Sequence, residues 1–275
     1  MLSIAIKQVV SLVSALWVIV NLTFWLIPLL VLTLFRPFLS ANVIGGAYAR
    51  LIAFIYKGAA ALDSFWMLRV IGVDLRVTGE MPAHTAPIVL ANHQTWFDIP
   101  ILQEVVCSSG PILKFMIKRE LAWVPIIGWI CLALNFPRLH RGKGGTSTSS
   151  DYDRVRDASV ELSSEPGALL IFPEGTRFTN AKHDKQASPY EHLLRPRAGG
   201  LRILHESAPP DTPVVDITII YSNPEANFWN CLHGASPAIC VNIEVTRLGD
   251  IDDIPAWLDA SWKKKDALLG ATRMM

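Results

Sequence analysis

His93 and Asp98 stand five positions apart in the stretch Asn92-His-Gln-Thr-Trp-Phe-Asp98. A carboxylate that reaches an imidazole fixes its tautomer, stabilises the imidazolium that forms, and leaves the other ring nitrogen free to take a proton. The pair therefore has the composition of a general base. A second stretch, Phe172-Pro-Glu-Gly-Thr-Arg177, joins a turn to a charge. Gly175 permits a tight turn there, and Arg177 offers a planar fork of donors suited to phosphate. The chain has no Gly-x-Ser-x-Gly elbow that would supply a serine nucleophile.

Short apolar runs lead into both stretches. Residues 86–91 read as a buried strand ahead of His93, and residues 169–173 as another ahead of Glu174. Residues 99–106 read as the helix that follows the first turn, which sets Asp98 at its first turn and His93 in the loop. Further strands are expected at 74–78, 112–117, 213–220 and 238–245. Helices are expected at 129–134, 151–165 and 198–205, and in a last segment opened by Pro255, where Leu258, Trp262 and Leu269 share a face. Lys263, Lys264 and Lys265 on that segment read as a solvated or lipid-facing turn. Strands alternating with helices predict an α/β fold with a mostly parallel central sheet flanked by helices. Sites in such sheets lie at strand ends, where both motifs fall.

The two motifs, in this order and about eighty residues apart, resemble the glycerolipid acyltransferase family, best known from the lysophosphatidic acid acyltransferases. The family pattern is Asn-His-x4-Asp followed by Phe-Pro-Glu-Gly-Thr-Arg. The insertion after Arg177 is similar to the branch that holds lysocardiolipin-type acyltransferases and a bacterial relative. The resemblance implies transfer of a fatty acyl group from acyl-CoA or acyl carrier protein to the hydroxyl of a lysophospholipid. It implies His93 and Asp98 as the catalytic pair and Glu174, Gly175, Thr176 and Arg177 as the acceptor-binding motif. In that motif Glu174 would orient Arg177 or a glycerol hydroxyl. Lys118 and Arg141 match family positions that would add cations near the phosphate. No resident cofactor and no metal are implied, the thioester being a co-substrate. Asp216 stands where the family usually has a proline.

Residues 9–35 contain no charged side chain, enough for a helix of roughly 40 Å that spans a bilayer with tilt. Lys7 precedes the run and Arg36, Arg50 and Lys57 follow it, an excess that puts the remainder on the cytoplasmic side. The expectation is an anchor over residues 1–73, one spanning or re-entrant helix plus an interfacial one, and an acyltransferase domain over 74–275. The resemblance sets this at a bacterial inner membrane. Near-balanced charge and no aromatic-basic array argue against a nucleic-acid partner. Cys107, Cys131, Cys231 and Cys240 are scattered in apolar contexts and read as reduced, buried thiols. The same residues would serve a transacylase that takes its acyl chain from another phospholipid. A non-catalytic lipid-binding protein is the alternative of a different class, and a metal hydrolase would need more ligands than His93 and Asp98.

Overall fold

The structure is a computed structural model, and it describes residues 4–39, 44–115, 117–118, 123–134, 136, 138–139 and 167–273. Strand β2 (Ile88–Ala91) is buried at every position. It carries no polar side chain because both of its faces are covered and both of its edges are paired. On one side it runs parallel to β6 (Ala168–Ile171), on the other parallel to β7 (Pro213–Tyr221). Beyond β6 lies β3 (Leu113–Phe115), also parallel. Beyond β7 lies β8 (Ala238–Arg247), antiparallel to it, and then β1 (Asp74–Thr78), parallel to β8. The sheet order is β1-β8-β7-β2-β6-β3, so a single antiparallel pair interrupts a parallel sheet. The expected strand over 112–117 is divided: β4 (Ile117–Lys118) leaves the main sheet and pairs with β5 (Arg138–Leu139).

Side chains alternate across the sheet and feed two cores. On one face Val89, Ala91, Val215, Ile217 and Ile219 pack under helix α2 (Ala49–Phe65) and helix α3 (Asp98–Cys107). On the other, Ile88, Leu90, Leu169 and Val214 meet α6 (Gly199–Ser207) and α8 (Ile254–Arg273). Leu258, Trp262 and Leu269 lie together in that second core, as their spacing predicts. The first core takes in Leu29, Ile55, Tyr56, Met67 and Val73. A boundary at residue 73 thus divides the chain by composition, whereas the packing runs across it.

Helix α1 (Ile4–Phe35) has its polarity inverted relative to a helix on a water-facing surface. Leu12, Leu16, Ile19, Phe24 and Ile27 are exposed, while Ser11, Ser14 and Asn21 are buried. Ser11 Oγ donates to the Trp229 carbonyl at 2.9 Å, Trp66 Nε1 donates to Ser14 Oγ at 2.9 Å, and Asn21 Nδ2 donates to the Ala59 carbonyl at 2.9 Å. The apolar residues look outward because the polar ones hold α1 to the rest of the chain. By length and composition both α1 and the helix containing α2 could cross a membrane.

The three lysines of α8 do not share one environment. Lys263 and Lys264 are exposed and pair with Asp259 and Glu244. Lys265 is 1% exposed, which overturns the expectation of a solvated or lipid-facing turn at that position. Its ammonium lies 2.8 Å from Asp216 Oδ1 and 2.6 Å from the Ile217 carbonyl, and Ser261 Oγ donates to the other Asp216 oxygen. Asp216 is therefore the buried counter-charge that fastens α8 to the sheet. Removing one member of a buried pair strands the other without solvent. Lys265→Ala is expected to cost about 3–5 kcal/mol and Lys264→Ala less than about 1 kcal/mol; thermal unfolding of the two variants in detergent makes the comparison.

Candidate active site

Strand β2 ends at Ala91, and the next residue continues the sheet with its side chain. Asn92 Oδ1 accepts from the Ile219 amide at 2.8 Å and its Nδ2 donates to the Ile219 carbonyl at 3.0 Å. The amide side chain mimics one more ladder residue, which lets the backbone leave the sheet at His93 without orphaning β7. The turn ends at Asp98, the first residue of α3.

His93 Nδ1 lies 2.8 Å from Asp98 Oδ2. The same oxygen accepts from the amides of Gln94 at 2.8 Å and Thr95 at 3.1 Å, and Oδ1 accepts from the Tyr221 hydroxyl at 2.6 Å. Four donors fix a carboxylate that is wholly buried. A carboxylate can only accept, so Nδ1 carries the hydrogen and Nε2 is left as the acceptor. The imidazole stacks on Phe172 with centroids 3.9 Å apart and meets Trp96 edge-on at 6.3 Å. Two aromatic rings limit its tilt. The buried Tyr221 phenol is held well above its usual range, by burial first and then by the neighbouring Asp98 charge, and so it keeps the proton it donates.

The second motif follows β6. Gly175 adopts φ 68, and its amide closes the turn onto the Phe172 carbonyl at 2.9 Å. A side chain at that φ would be strained, which accounts for glycine. Glu174 is where the structure corrects the expectation. Its carboxylate is 0% exposed. Oε1 accepts from the His93 amide at 2.8 Å and Oε2 from the Leu194 amide at 3.0 Å. Each oxygen is held by a main-chain amide, and Arg177 is not its partner. Burial pushes this carboxyl up to about 8, against the two amide hydrogen bonds, which lower it. One residue further along the loop than Arg177, the Phe178 amide donates to the His93 carbonyl at 2.7 Å. The two motifs are thus stitched to each other at His93 from both sides of its peptide.

Arg177 is exposed, with its guanidinium carbon 4.8 Å from the centre of the Trp96 ring. Stacking on a ring leaves the in-plane donors of the fork directed outward. Thr176 Oγ1 accepts from Lys182 Nζ at 2.9 Å, and the same ammonium donates to the Arg177 carbonyl at 2.9 Å. Lys182 belongs to α5 (Asn180–Gln186), which Thr179 caps. Lys118 lies on β4, in register with Leu139 of β5, and Arg141 falls outside the described residues.

Beside the histidine is an apolar cavity of ≈ 440 Å³. Trp96, Phe97 and Pro100 line it from the histidine turn and α3; Trp17 and Leu22 come from α1 and Met67 from the turn after α2. Trp96 therefore faces three features at once, namely His93, Arg177 and the cavity.

Tyr221, Trp96, Phe172 and Lys182 escape a reading of sequence alone, for different reasons. Phe172 and Trp96 lie inside the quoted motifs as apparent spacers. Tyr221 closes a β-branched strand, and only the register of β7 beside β2 carries it past Ile219 to the level of the histidine turn. The signal for Lys182 is its place one turn after a threonine cap.

A mostly parallel α/β sheet with a buried His-Asp pair at one strand end and a Glu-Gly-Thr-Arg turn at its neighbour defines the class that comparison bears out. The sequence profile of the Acyltransferase family matches residues 74–220, and the chain belongs to that family. It is 26% identical over 259 residues to the protein named Probable 1-acyl-sn-glycerol-3-phosphate acyltransferase 5 of Arabidopsis thaliana, covering 86% of this chain and 68% of that one. It is 25% identical over 216 residues to 1-acyl-sn-glycerol-3-phosphate acyltransferase epsilon of Mus musculus, covering 72% of this chain and 57% of the mouse protein. The crystal structure of the 1-acyl-sn-glycerophosphate acyltransferase of Thermotoga maritima superposes with a TM-score of 0.59 at 20% identity, covering 96% of this chain and 98% of that one, and shares its fold.

Glutamine at position 174 would set an NH2 against one of the two main-chain amides. A folded carboxyl at about 8 against the ordinary 4.5 withholds stability as pH rises through that window. Glu174→Gln is therefore expected to unfold at a lower temperature, by the equivalent of about 1–3 kcal/mol for an unpaired buried donor. The gap from wild type should narrow as pH climbs from 4.5 to about 8, and thermal unfolding across that range reads both effects.

Proposed function

We propose that this chain is a membrane-bound acyltransferase that moves a fatty acyl group from a thioester, acyl-CoA or acyl carrier protein, to the free hydroxyl of a lysophospholipid. The observation that carries the reading is the His93 ring, aimed by Asp98 at 2.8 Å in a turn whose Trp96 and Phe97 line an apolar cavity of ≈ 440 Å³. Nε2 takes the proton of the acceptor hydroxyl as its oxygen bonds to the thioester carbonyl carbon. The tetrahedral intermediate then expels the thiolate, and the proton returns from Nε2 to sulfur. No serine or cysteine nucleophile is needed, since the thioester is already activated. Asp98 stabilises the positive charge that forms on the ring.

The cavity takes an acyl chain, and Arg177 holds the acceptor phosphate with its stacked fork. Thr176 and Lys182 steady the backbone that carries Arg177, and Gly175 shapes the turn. Lys118 and Arg141 keep the role the family resemblance implies, as further cations for the acceptor phosphate. Glu174 acts by positioning His93 rather than by touching substrate. Helix α1, with its apolar side outward, is the anchor in this reading; the charge excess that follows it supports a cytoplasmic catalytic domain, and the family likeness supports a bacterial inner membrane.

The decisive assay is thiol release from acyl-CoA by the detergent-purified full chain, with a panel of lysophospholipid acceptors. His93→Ala should fall by roughly 10²–10⁴-fold with its unfolding temperature intact, and turnover near wild type would remove His93 from the mechanism. Arg177→Ala should raise KM for phosphate-bearing acceptors more than for the donor. Equal loss with an uncharged acceptor would end the phosphate assignment. Acylation of the acceptor from a second phospholipid in the absence of acyl-CoA, with formation of the donor's lysophospholipid and no thiol release, would make the chain a transacylase.

A further inference from the structure

Residues Trp123 to Leu134 include no charged side chain. They build α4 (Ile127–Ala133) and the turn before it. The inner side of α4 is buried at Gly128 and Cys131, and Ile130 and Cys131 line the apolar cavity. The outer side is apolar too: Trp123 is 82% exposed, Trp129 50% and Leu132 42%. A helix at a water boundary turns polar residues outward, and this segment has none to turn. It packs against α1, the helix whose serines and asparagine face inward and whose leucines and phenylalanines face out. The outward surfaces of the two helices are therefore neighbours and alike in chemistry.

We infer that Trp123, Trp129 and Leu132 are immersed in the same bilayer that surrounds α1, so that the catalytic domain itself dips into lipid beside the cavity. This rests on reading α1 as the membrane anchor. Continuity selects lipid over a protein partner: whatever covers α4 lies against the flank of α1, a helix of 32 residues, long and apolar enough to cross a bilayer. Tryptophan suits the place, because its ring lies among the upper acyl chains while its nitrogen stays within reach of head groups. Neither Trp123 nor Trp129 lines the cavity, so the contact is separable from chemistry.

The test compares the full wild-type chain with W123F/W129F in phosphatidylcholine nanodiscs, with or without bromine on the lipid acyl chains. The emission missing from the variant is that of the two tryptophans. It is expected to be quenched by the brominated lipid and sheltered from aqueous iodide, and the variant is expected to keep wild-type turnover on a short-chain, water-soluble acceptor. Quenching by iodide and not by bromine would overturn the inference. Shelter from both, with two chains per disc, would show that a second copy covers this face and would overturn it equally. Wild-type chain that fails to enter discs would remove the anchor reading and the inference with it. The acyltransferase reading fails by a separate sign, the absence of acyl transfer in wild-type discs whose tryptophans are quenched by bromine.

Discussion

The site depends on a carboxylate buried beneath its surface. Glu174 receives the amide of His93 on one oxygen and that of Leu194 on the other. Three segments distant in sequence meet there: the loop after β2, the loop after β6, and the chain leading toward α6. A buried acceptor with two lone-pair-rich oxygens can bind two amides that face each other, which no neutral side chain of its size can do. The distances around the imidazole, from Asp98 to Phe172, presuppose that this junction holds. The residue is expensive to bury, as its elevated titration shows, and its position between two loops that have no ladder to join them accounts for the expense.

Around that junction the molecule separates polar from apolar work. The sheet end gathers His93, Asp98, Tyr221 and main-chain amides into one closed hydrogen-bond set, apart from the apolar cavity next to it. Trp96 forms the partition: one edge meets His93, one face carries Arg177, and the ring borders the cavity. A single aromatic residue thus stands between an exposed guanidinium and an apolar cavity. The other end of the sheet is fastened by a different device, the Asp216–Lys265 pair beneath α8.

Much of this was legible in residue order, and the reasons for what was not are physical. Strands β2 and β6 announce themselves because a fully covered parallel strand has no polar position to confuse its pattern. His93 and Asp98 meet because a turn and the first residue of a helix bring positions five apart together, a local geometry that spacing encodes. The role of Glu174 could not be read, since its partners are main-chain amides, which leave no trace in side-chain identity. Lys265 misled for the opposite reason: three consecutive lysines suggest a solvated face, yet on a helix they point in three directions, and the third meets an aspartate nearly fifty residues away. Asp216 looked like a departure from a proline pattern until its counter-ion was seen. The antiparallel pairing of β7 with β8 was also hidden, because each strand alone is apolar and β-branched enough for either direction.

The packing that runs across residue 73 bears on what kind of machine this is. Trp17 and Leu22 of α1, and Met67 after α2, are walls of the same cavity that Trp96 and Phe97 close from the catalytic side. The two helices long and apolar enough to cross a membrane also set the shape of the cavity beside the histidine turn. A helix responds to a thicker or thinner bilayer by changing its tilt, and here a change of tilt moves a wall of the pocket. With α1 in lipid, membrane thickness would become a mechanical input to the dimensions of the cavity.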